Sequence, residues 1–101
     1  MATKLMRFKL GKIVATPFAL AALEASDEDP LKFLSRHAAC NWGDALCPED
    51  WEANNQALEN GSRILSSYYL KDRSKLWIIT EAASDDDGNR PLTTLLLPEN
   101  Y

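Results

Sequence analysis

The sequence has few of the features that mark disulfide-stabilised, membrane-spanning or secreted proteins. Two cysteines, Cys40 and Cys47, are too few for a disulfide framework, so both are expected to be free thiols in a reducing compartment. No apolar run reaches the length of about eighteen residues that a membrane span requires. Lys4 and Arg7 are not followed by the continuous apolar segment of a signal peptide. The expected location is therefore cytoplasmic, without membrane contact.

Length and composition predict one domain that covers residues 1–101. A chain of 101 residues is long enough for one ordinary domain and too short for two. The hydrophobic fraction of 46% and the three tryptophans allow a core to form without disulfides or a bound metal.

The net charge of −4 is distributed unevenly. Residues 1–13 hold four bases and no acid, whereas residues 14–61 hold nine acids against Lys32 and Arg36. Nucleic-acid affinity that is independent of sequence comes from Lys and Arg side chains that neutralise phosphates. The acidic middle of the chain would repel phosphates, so direct nucleic-acid binding is not expected, except through the basic first strand.

Four segments have the two-residue period that is typical of β-strands. The most strand-like is the run from Lys75 to Glu81. In the first segment the alternation breaks at Gly11, which predicts a β-bulge there. Asp72–Ser74 is short enough to close a hairpin between the second and third strands. The predicted strands span residues 7–15, 63–71, 75–82 and 92–97.

Three segments carry helix signals and are predicted to span residues 17–25, 30–39 and 48–60. Thr16-Pro17 and Asp29-Pro30 each pair an N-cap residue with a proline suited to the first helical position, and Gly61 suits the end of the third helix. The larger apolar residues of the first helix are Phe18, Leu20 and Leu23, and those expected to face inward on the second are Leu31, Phe33, Leu34 and Ala38.

The third helix places an amide on its apolar side. Asn54 or Asn55 falls where the pattern calls for an apolar residue, and buried amides need hydrogen-bond partners. One of the two is therefore expected to bind the backbone of the Trp42-Gly43 loop.

These elements predict an α+β fold in the order β-α-α-α-β-β-β, with helices packed on a mostly antiparallel four-stranded sheet. The first strand should lie at an edge or beside the last strand. Strand three is apolar on both faces, so both faces need cover. One face would be covered by the helices. The other would be covered by a second copy in a homodimer, by another protein, or by strand one with residues 1–6.

Five segments of the sequence form a recognisable set. They are Phe33-Leu-Ser-Arg-His37, Asn41-Trp-Gly-Asp44, Leu65-Ser-Ser-Tyr68, Trp77-Ile-Ile-Thr-Glu81 and Thr93-Thr-Leu-Leu-Leu-Pro98. Taken together, they resemble a group of small uncharacterised bacterial proteins that are found on plasmids and integrated mobile elements. The likeness runs from about Phe8 to Tyr101, and it implies no activity. The sequence departs from the group at Cys40-Asn41, where Gly-Asp would be expected.

A small catalytic or ligand-binding set can be drawn from Arg36, His37, Asp44 and Glu81. His37 would act as a base because histidine titrates near neutrality, with Glu81 or Asp44 to orient it. Cys40 would be a nucleophile beside it. The favoured interpretation is structural: Arg36 and His37 would end the second helix, where positive charge suits the helix dipole.

No metal site and no cofactor are predicted. His37, Cys40, Asp44 and Cys47 are residue types that bind zinc, but their spacing matches no standard zinc module.

Four residues are candidate binding contacts. Trp42 lies in a loop beside Gly43 and is the candidate surface anchor, together with Asp44, Arg36 and Glu81 as binding residues. Trp51 and Trp77 match the core pattern. Glu81 lies on a strand that is otherwise apolar, and it is expected to form a salt bridge with Arg36 or Arg90.

The expected function is that of a non-enzymatic accessory protein of a mobile genetic element that acts through contact with another protein. One variant is an acidic inhibitor of a host nucleic-acid-handling or defence protein, docked on a basic surface through its helices. The alternative is a small enzyme or ligand-binding module that uses Arg36, His37, Asp44 and Glu81.

Overall fold

The computed structural model describes residues 7–101, which form three α-helices and one four-stranded sheet. None of these helices combines the length and the apolar character that a membrane crossing needs. In chain order the elements are β1 Lys12–Ala15, α1 Pro17–Ala25, α2 Pro30–Ala38, α3 Pro48–Asn60, β2 Ile64–Tyr69, β3 Lys75–Thr80 and β4 Leu92–Leu96, followed by a 3₁₀ turn at Pro98–Asn100.

The strands follow the order β1-β4-β3-β2. The β2–β3 and β3–β4 pairs are antiparallel, and β1 pairs with β4 in the parallel direction. The α+β class, the element order and the place of the first strand beside the last strand are therefore confirmed.

The first strand is shorter than predicted because it begins only at Lys12. Gly11 adopts a φ of +67°, and a Cβ at this position would lie 2.1 Å from the carbonyl oxygen of Arg90. Only glycine tolerates that combination of conformation and close approach. Residues 7–11 therefore do not continue the strand, and the bulge predicted at Gly11 is instead the point where the strand begins.

The helix N-caps predicted at Thr16 and Asp29 are both present. The Thr16 hydroxyl accepts a hydrogen bond from the backbone N–H of Ala19 at 3.1 Å, and the Asp29 carboxylate accepts one from Leu31 at 2.9 Å. Each side chain satisfies an N–H group that has no partner inside its helix. Proline follows each cap at the first helical position.

Helices α1 and α2 both end in a Schellman motif whose left-handed residue is not glycine. At the end of α1, Glu28 N donates to Leu23 O at 3.0 Å, and Asp27 has a φ of +56°. At the end of α2, Asn41 N donates to Arg36 O at 2.9 Å. Cys40 occupies the left-handed position with a φ of +67°. The glycine expected here from the family resemblance is the residue that this conformation favours.

Helices α1 and α2 pack on one face of the sheet, where their side chains form the main core, while Ala57 of α3 packs with Trp42 and Ile64 in a second cluster. The short residue Ala19 lets α1 approach β4 closely, and Leu23 lies one turn further along the same side. The core cluster consists of Ala19, Leu23, Phe33, Leu34, Tyr68, Leu70, Leu76, Ile78 and Leu95.

Three large apolar residues of the first two helices point to solvent. Phe18 is 66% exposed, Leu20 is 50% exposed and Leu31 is 64% exposed. The expectation that Leu31 faces inward is wrong, because Phe33, Leu34, His37 and Ala38 occupy the buried side of α2. A nine-residue helix turns only one side to the sheet, so apolar residues elsewhere on it stay exposed.

The second face of the sheet is covered only in part by the described chain. Ile79 and Leu96 are buried there, and Tyr101 packs against Trp77 with ring centroids 5.7 Å apart, but Tyr69 on this face is 50% exposed and Tyr101 is 69% exposed. The homodimer therefore stays a prediction. The proposed cover by residues 1–6 lies outside the described residues.

The β2–β3 hairpin supplies a test of backbone strain. Arg73 is an exposed turn residue with a φ of +73°. Arg73→Gly should raise the free energy of unfolding by about 1 kcal/mol, because glycine lacks the Cβ that makes the left-handed region costly. Denaturant unfolding of both proteins measures the difference.

Lys71→Gly is the matched control in the same turn. Lys71 is also exposed but does not have a positive φ, so glycine should lower the free energy of unfolding by about 0.5 kcal/mol through chain entropy. Equal effects of the two substitutions would contradict the assignment of strain to residue 73.

Candidate functional site

The side chain of His37 lies at the centre of a buried chain of hydrogen bonds. Its Nδ1 atom bonds to the Ser66 hydroxyl on β2, and its Nε2 atom lies 2.8 Å from the Thr80 hydroxyl on β3. The Thr80 hydroxyl lies 2.8 Å from that of Thr93 on β4. Thr93 in turn bonds at 2.6 Å to the carbonyl oxygen of Leu10. The chain joins α2, three strands and the segment that precedes β1.

The Leu10 carbonyl sets the direction of every bond in the chain because it can only accept. Thr93 must donate to it, so Thr93 accepts from Thr80, and Thr80 accepts from Nε2–H of His37. The neutral imidazole then has an unprotonated Nδ1, which accepts from Ser66. A single tautomer of His37 therefore satisfies all the groups.

His37 is held neutral and closed to solvent. Its side chain is fully buried, and burial, with the positive charge of Arg90 as a second cause, lowers the pKa of His37 to about 3. A base must reach its substrate, and both ring nitrogens of His37 are already occupied. The expectation that His37 adds positive charge to the end of α2 is therefore wrong, whereas its structural role is supported.

The loop around Trp42 and Gly43 seals the outer edge of β2. Ser67 N donates to Trp42 O at 2.9 Å, and Ala45 N donates to Ser67 O at 3.2 Å. Gly43 has a φ of +97°, and a Cβ there would lie 2.0 Å from Ser67 O. The glycine is needed because the loop backbone approaches the strand this closely.

Asn54 forms hydrogen bonds with the same outer edge of β2 at Leu65, two residues before Ser67. Its Nδ2 donates to Leu65 O at 2.6 Å and its Oδ1 accepts from Leu65 N at 3.1 Å, so the side chain imitates a neighbouring strand. The predicted buried amide is confirmed, but its predicted partner is wrong, because Asn54 binds β2. The neighbouring Asn55 accepts a bond from Nε1 of Trp42 at 3.2 Å.

Trp42 is buried and is not a surface anchor. It is 0% exposed, and it packs against Phe8, His37 and Trp51 with ring centroids 5.8–6.5 Å apart. The expectation of exposure is wrong because residues 42–45 form an added edge segment against β2 and do not project from the domain.

Arg90 is buried and bonds to backbone carbonyl groups. It donates to Ala57 O at 3.1 Å, to Ser62 O at 2.7 Å and to Glu81 O at 3.1 Å. The negative end of the α3 dipole favours a cation at Ala57, while burial lowers the pKa of Arg90.

The predicted salt bridge of Glu81 with Arg36 or Arg90 is wrong. Within residues 7–101 the ion pair found is that of Lys32 with Glu28.

Arg36, Asp44 and Glu81 do not converge with His37 on one pocket. Arg36 lies over the Tyr68 ring, 4.6 Å from its centroid, and Asp44 is exposed in the edge-sealing loop. Glu81 N donates to Leu92 O and continues the ladder past Thr80. Because successive side chains alternate between faces, Glu81 points away from the face on which Thr80 meets His37.

The described residues contain no group of three or more His, Cys, Asp or Glu side chains that could hold a metal ion. Cys40 is half-buried, and burial raises the pKa of its thiol, while Cys47 is exposed just before α3.

A cleft of about 910 Å³ lies between residues 7–9, the end of α3 and the loop at residues 83–90. The Asp85 carboxylate beside it bonds to Asp87 N and Asn89 N within that loop.

The exposed apolar residues of α1 and α2 are the features that residue-type reasoning missed. The binding residues predicted from the sequence are Arg36, Trp42, Asp44 and Glu81. This set does not include Phe18, Leu20 or Leu31. One signal was available: α1 is apolar nearly all round, which a nine-residue surface helix can bury on only one side. These residues, with Glu24, Asp27 and Asp29, are named the α1–α2 surface.

Gly43→Ala tests the seal on β2. The substitution should lower the free energy of unfolding by at least about 3 kcal/mol, because a methyl group would collide with Ser67 O in addition to straining the backbone. Gly88→Ala is the control: Gly88 has a φ of +77° with nothing within 4 Å of its Cβ position, so only strain of about 1 kcal/mol is expected. Similar losses would show that the close approach at Gly43 is unimportant.

His37 should make stability depend on pH in a range where few other groups titrate. The unfolded chain binds a proton near pH 6.5 whereas the folded chain does not, so acid favours unfolding. The free energy of unfolding should fall by about 2 kcal/mol from pH 7 to pH 5. The sequence has a single histidine, so His37→Gln should remove this dependence. Imidazole ¹⁵N shifts that report a charged ring at pH 5 would contradict it.

Comparison of the chain with protein-family models, curated proteins and solved structures gives no match.

Proposed function

We propose that this protein acts without catalysis, by binding another protein through the α1–α2 surface. The observation that carries the proposal is the exposure of Phe18, Leu20 and Leu31. Each is a large apolar side chain that stays in solvent while a core forms beneath its helix, and such side chains are frequent at the centre of contact surfaces.

The connection between the two helices presents these side chains in a fixed arrangement. Glu28 accepts bonds from Lys71 N at 3.0 Å and from Lys32 Nζ at 3.1 Å, so it ties the connection to the β2–β3 hairpin. Asp29 caps α2, and Asp27 closes the Schellman motif of α1. A surface that is ordered before binding loses less conformational entropy when the partner arrives.

The charge around the exposed apolar residues indicates the chemistry of the partner. Glu24, Asp27 and Asp29 are exposed on the same helix pair. Exposed acids at the rim of a contact favour a basic partner and increase the association rate more than the affinity. The proposed partner is therefore a protein with an apolar depression surrounded by Lys and Arg.

The biological setting is proposed from the sequence resemblance to plasmid and mobile-element proteins. In that setting the partner would be a host nucleic-acid-handling or defence protein, because such proteins carry basic surfaces. The protein would block that surface as an acidic inhibitor. The enzyme alternative has less support, since His37 is enclosed and its three companions lie apart from it.

Capture from a bacterial lysate tests the proposal. The wild-type protein should retain a basic protein at low salt, and Phe18→Gln/Leu31→Gln should reduce its retention at least about tenfold, because exposed anchors contribute much of the binding energy. Retention should also weaken at high salt, which screens the acidic rim.

Tyr69→Gln is the control, since Tyr69 is 50% exposed on β2, away from α1 and α2. All these changes are at the surface, so each should alter the free energy of unfolding by less than about 0.5 kcal/mol. Capture that survives the double substitution, or that is lost equally with Tyr69→Gln, would refute the role of the α1–α2 surface.

A further inference from the structure

The two edges of the sheet differ in how their backbone groups are satisfied. On β2 the outward groups of Leu65 bind Asn54, and those of Ser67 bind Trp42 and Ala45. On β1, no atom of residues 7–101 forms such bonds with the outward groups. An unpaired strand edge is a template for another strand, and proteins usually block it.

The pairing of β1 with β4 identifies the groups that point outward. Lys12 N donates to Pro91 O at 3.1 Å and Thr16 N donates to Leu95 O at 2.9 Å, so residues 12, 14 and 16 face β4. The N–H and C=O groups of Ile13 and Ala15 therefore point away from the sheet. They offer two donors and two acceptors to a third strand.

The side chains along this edge have a distinct charge and an alternating character. Lys12 is exposed, and β1 contains no acid, although the whole chain carries a net charge of −4. Ile13 is 48% exposed and lies on the helix-bearing face, while Lys12 lies on the other face.

We propose that the outer edge of β1 binds an extended segment of a partner protein in which acidic and apolar residues alternate. The backbone of the segment would pair with Ile13 and Ala15. Its acids would lie on the side of Lys12, and an apolar residue would lie against Ile13. A second copy of this chain is the poorer occupant, because its own β1 edge would bring a second Lys12 and no acid.

This inference rests on the proposed function only because both require a protein partner. The outer edge of β1 is a different surface from the α1–α2 surface. The probe is the peptide acetyl-Glu-Val-Glu-Val-Glu-amide, which has the required alternation. Added to ¹⁵N-labelled protein, it should shift the amide resonances of Ile13 and Ala15 and slow their hydrogen exchange. The resonances of Leu65 and Ser67 on the sealed edge should stay unchanged.

Two substitutions separate the backbone and charge contributions. Ile13→Pro removes an outward N–H without removing a β1–β4 bond, and it should weaken peptide binding about tenfold relative to Ile13→Ala, which loses the same side chain but keeps the donor. Lys12→Glu should weaken binding about fivefold, whereas Lys75→Glu, at the exposed start of β3, should leave it unchanged. Thermal unfolding verifies that each variant is folded.

Several results would overturn the proposal. One is the absence of shifts at Ile13 and Ala15 at about 1 mM peptide. Another is equal binding of acetyl-Lys-Val-Lys-Val-Lys-amide. A third is shifts of the same amides with protein concentration alone, which would assign the edge to a second copy. Failure of the α1–α2 surface would instead show as lysate capture that resists Phe18→Gln/Leu31→Gln, so the two proposals fail separately.

Discussion

The hydrogen-bond chain through His37 fixes how α2 sits on the sheet. It runs from Ser66 through His37, Thr80 and Thr93 to the carbonyl of Leu10. A buried polar group without a partner costs more than a typical hydrogen bond contributes, so these groups favour the one arrangement in which all of them are satisfied. Helix α2, the three strands and the segment before β1 are thereby held in one register.

The same requirement explains the other polar residues of the interior. Asn54 satisfies the edge of β2, and Arg90 satisfies carbonyl groups at the end of α3 and beyond it. Both would suggest chemistry if their residue types alone were considered. In the structure each completes the backbone hydrogen bonding of the fold.

The candidate site was therefore only partly predictable. Residue type shows which groups donate, accept or titrate, but it does not show whether water or a substrate can reach them. His37 and Trp42 were candidates by type, and both are buried. Phe18 and Leu31 were assigned no binding role, and both are exposed. Exposure depends on which side of a helix meets the sheet, and that is a long-range property.

The features that depend on neighbouring residues are predictable from the sequence alone. Thr16-Pro17 and Asp29-Pro30 begin helices, and the period of two marks the strands, because caps and pleats involve residues only a few positions apart. The parallel pairing of β1 with β4, the bonds of Asn54 to Leu65, and the packing of Tyr101 on Trp77 are visible only in the folded chain. These contacts join distant residues, and they form because the burial of apolar surface and the pairing of buried polar groups are satisfied together.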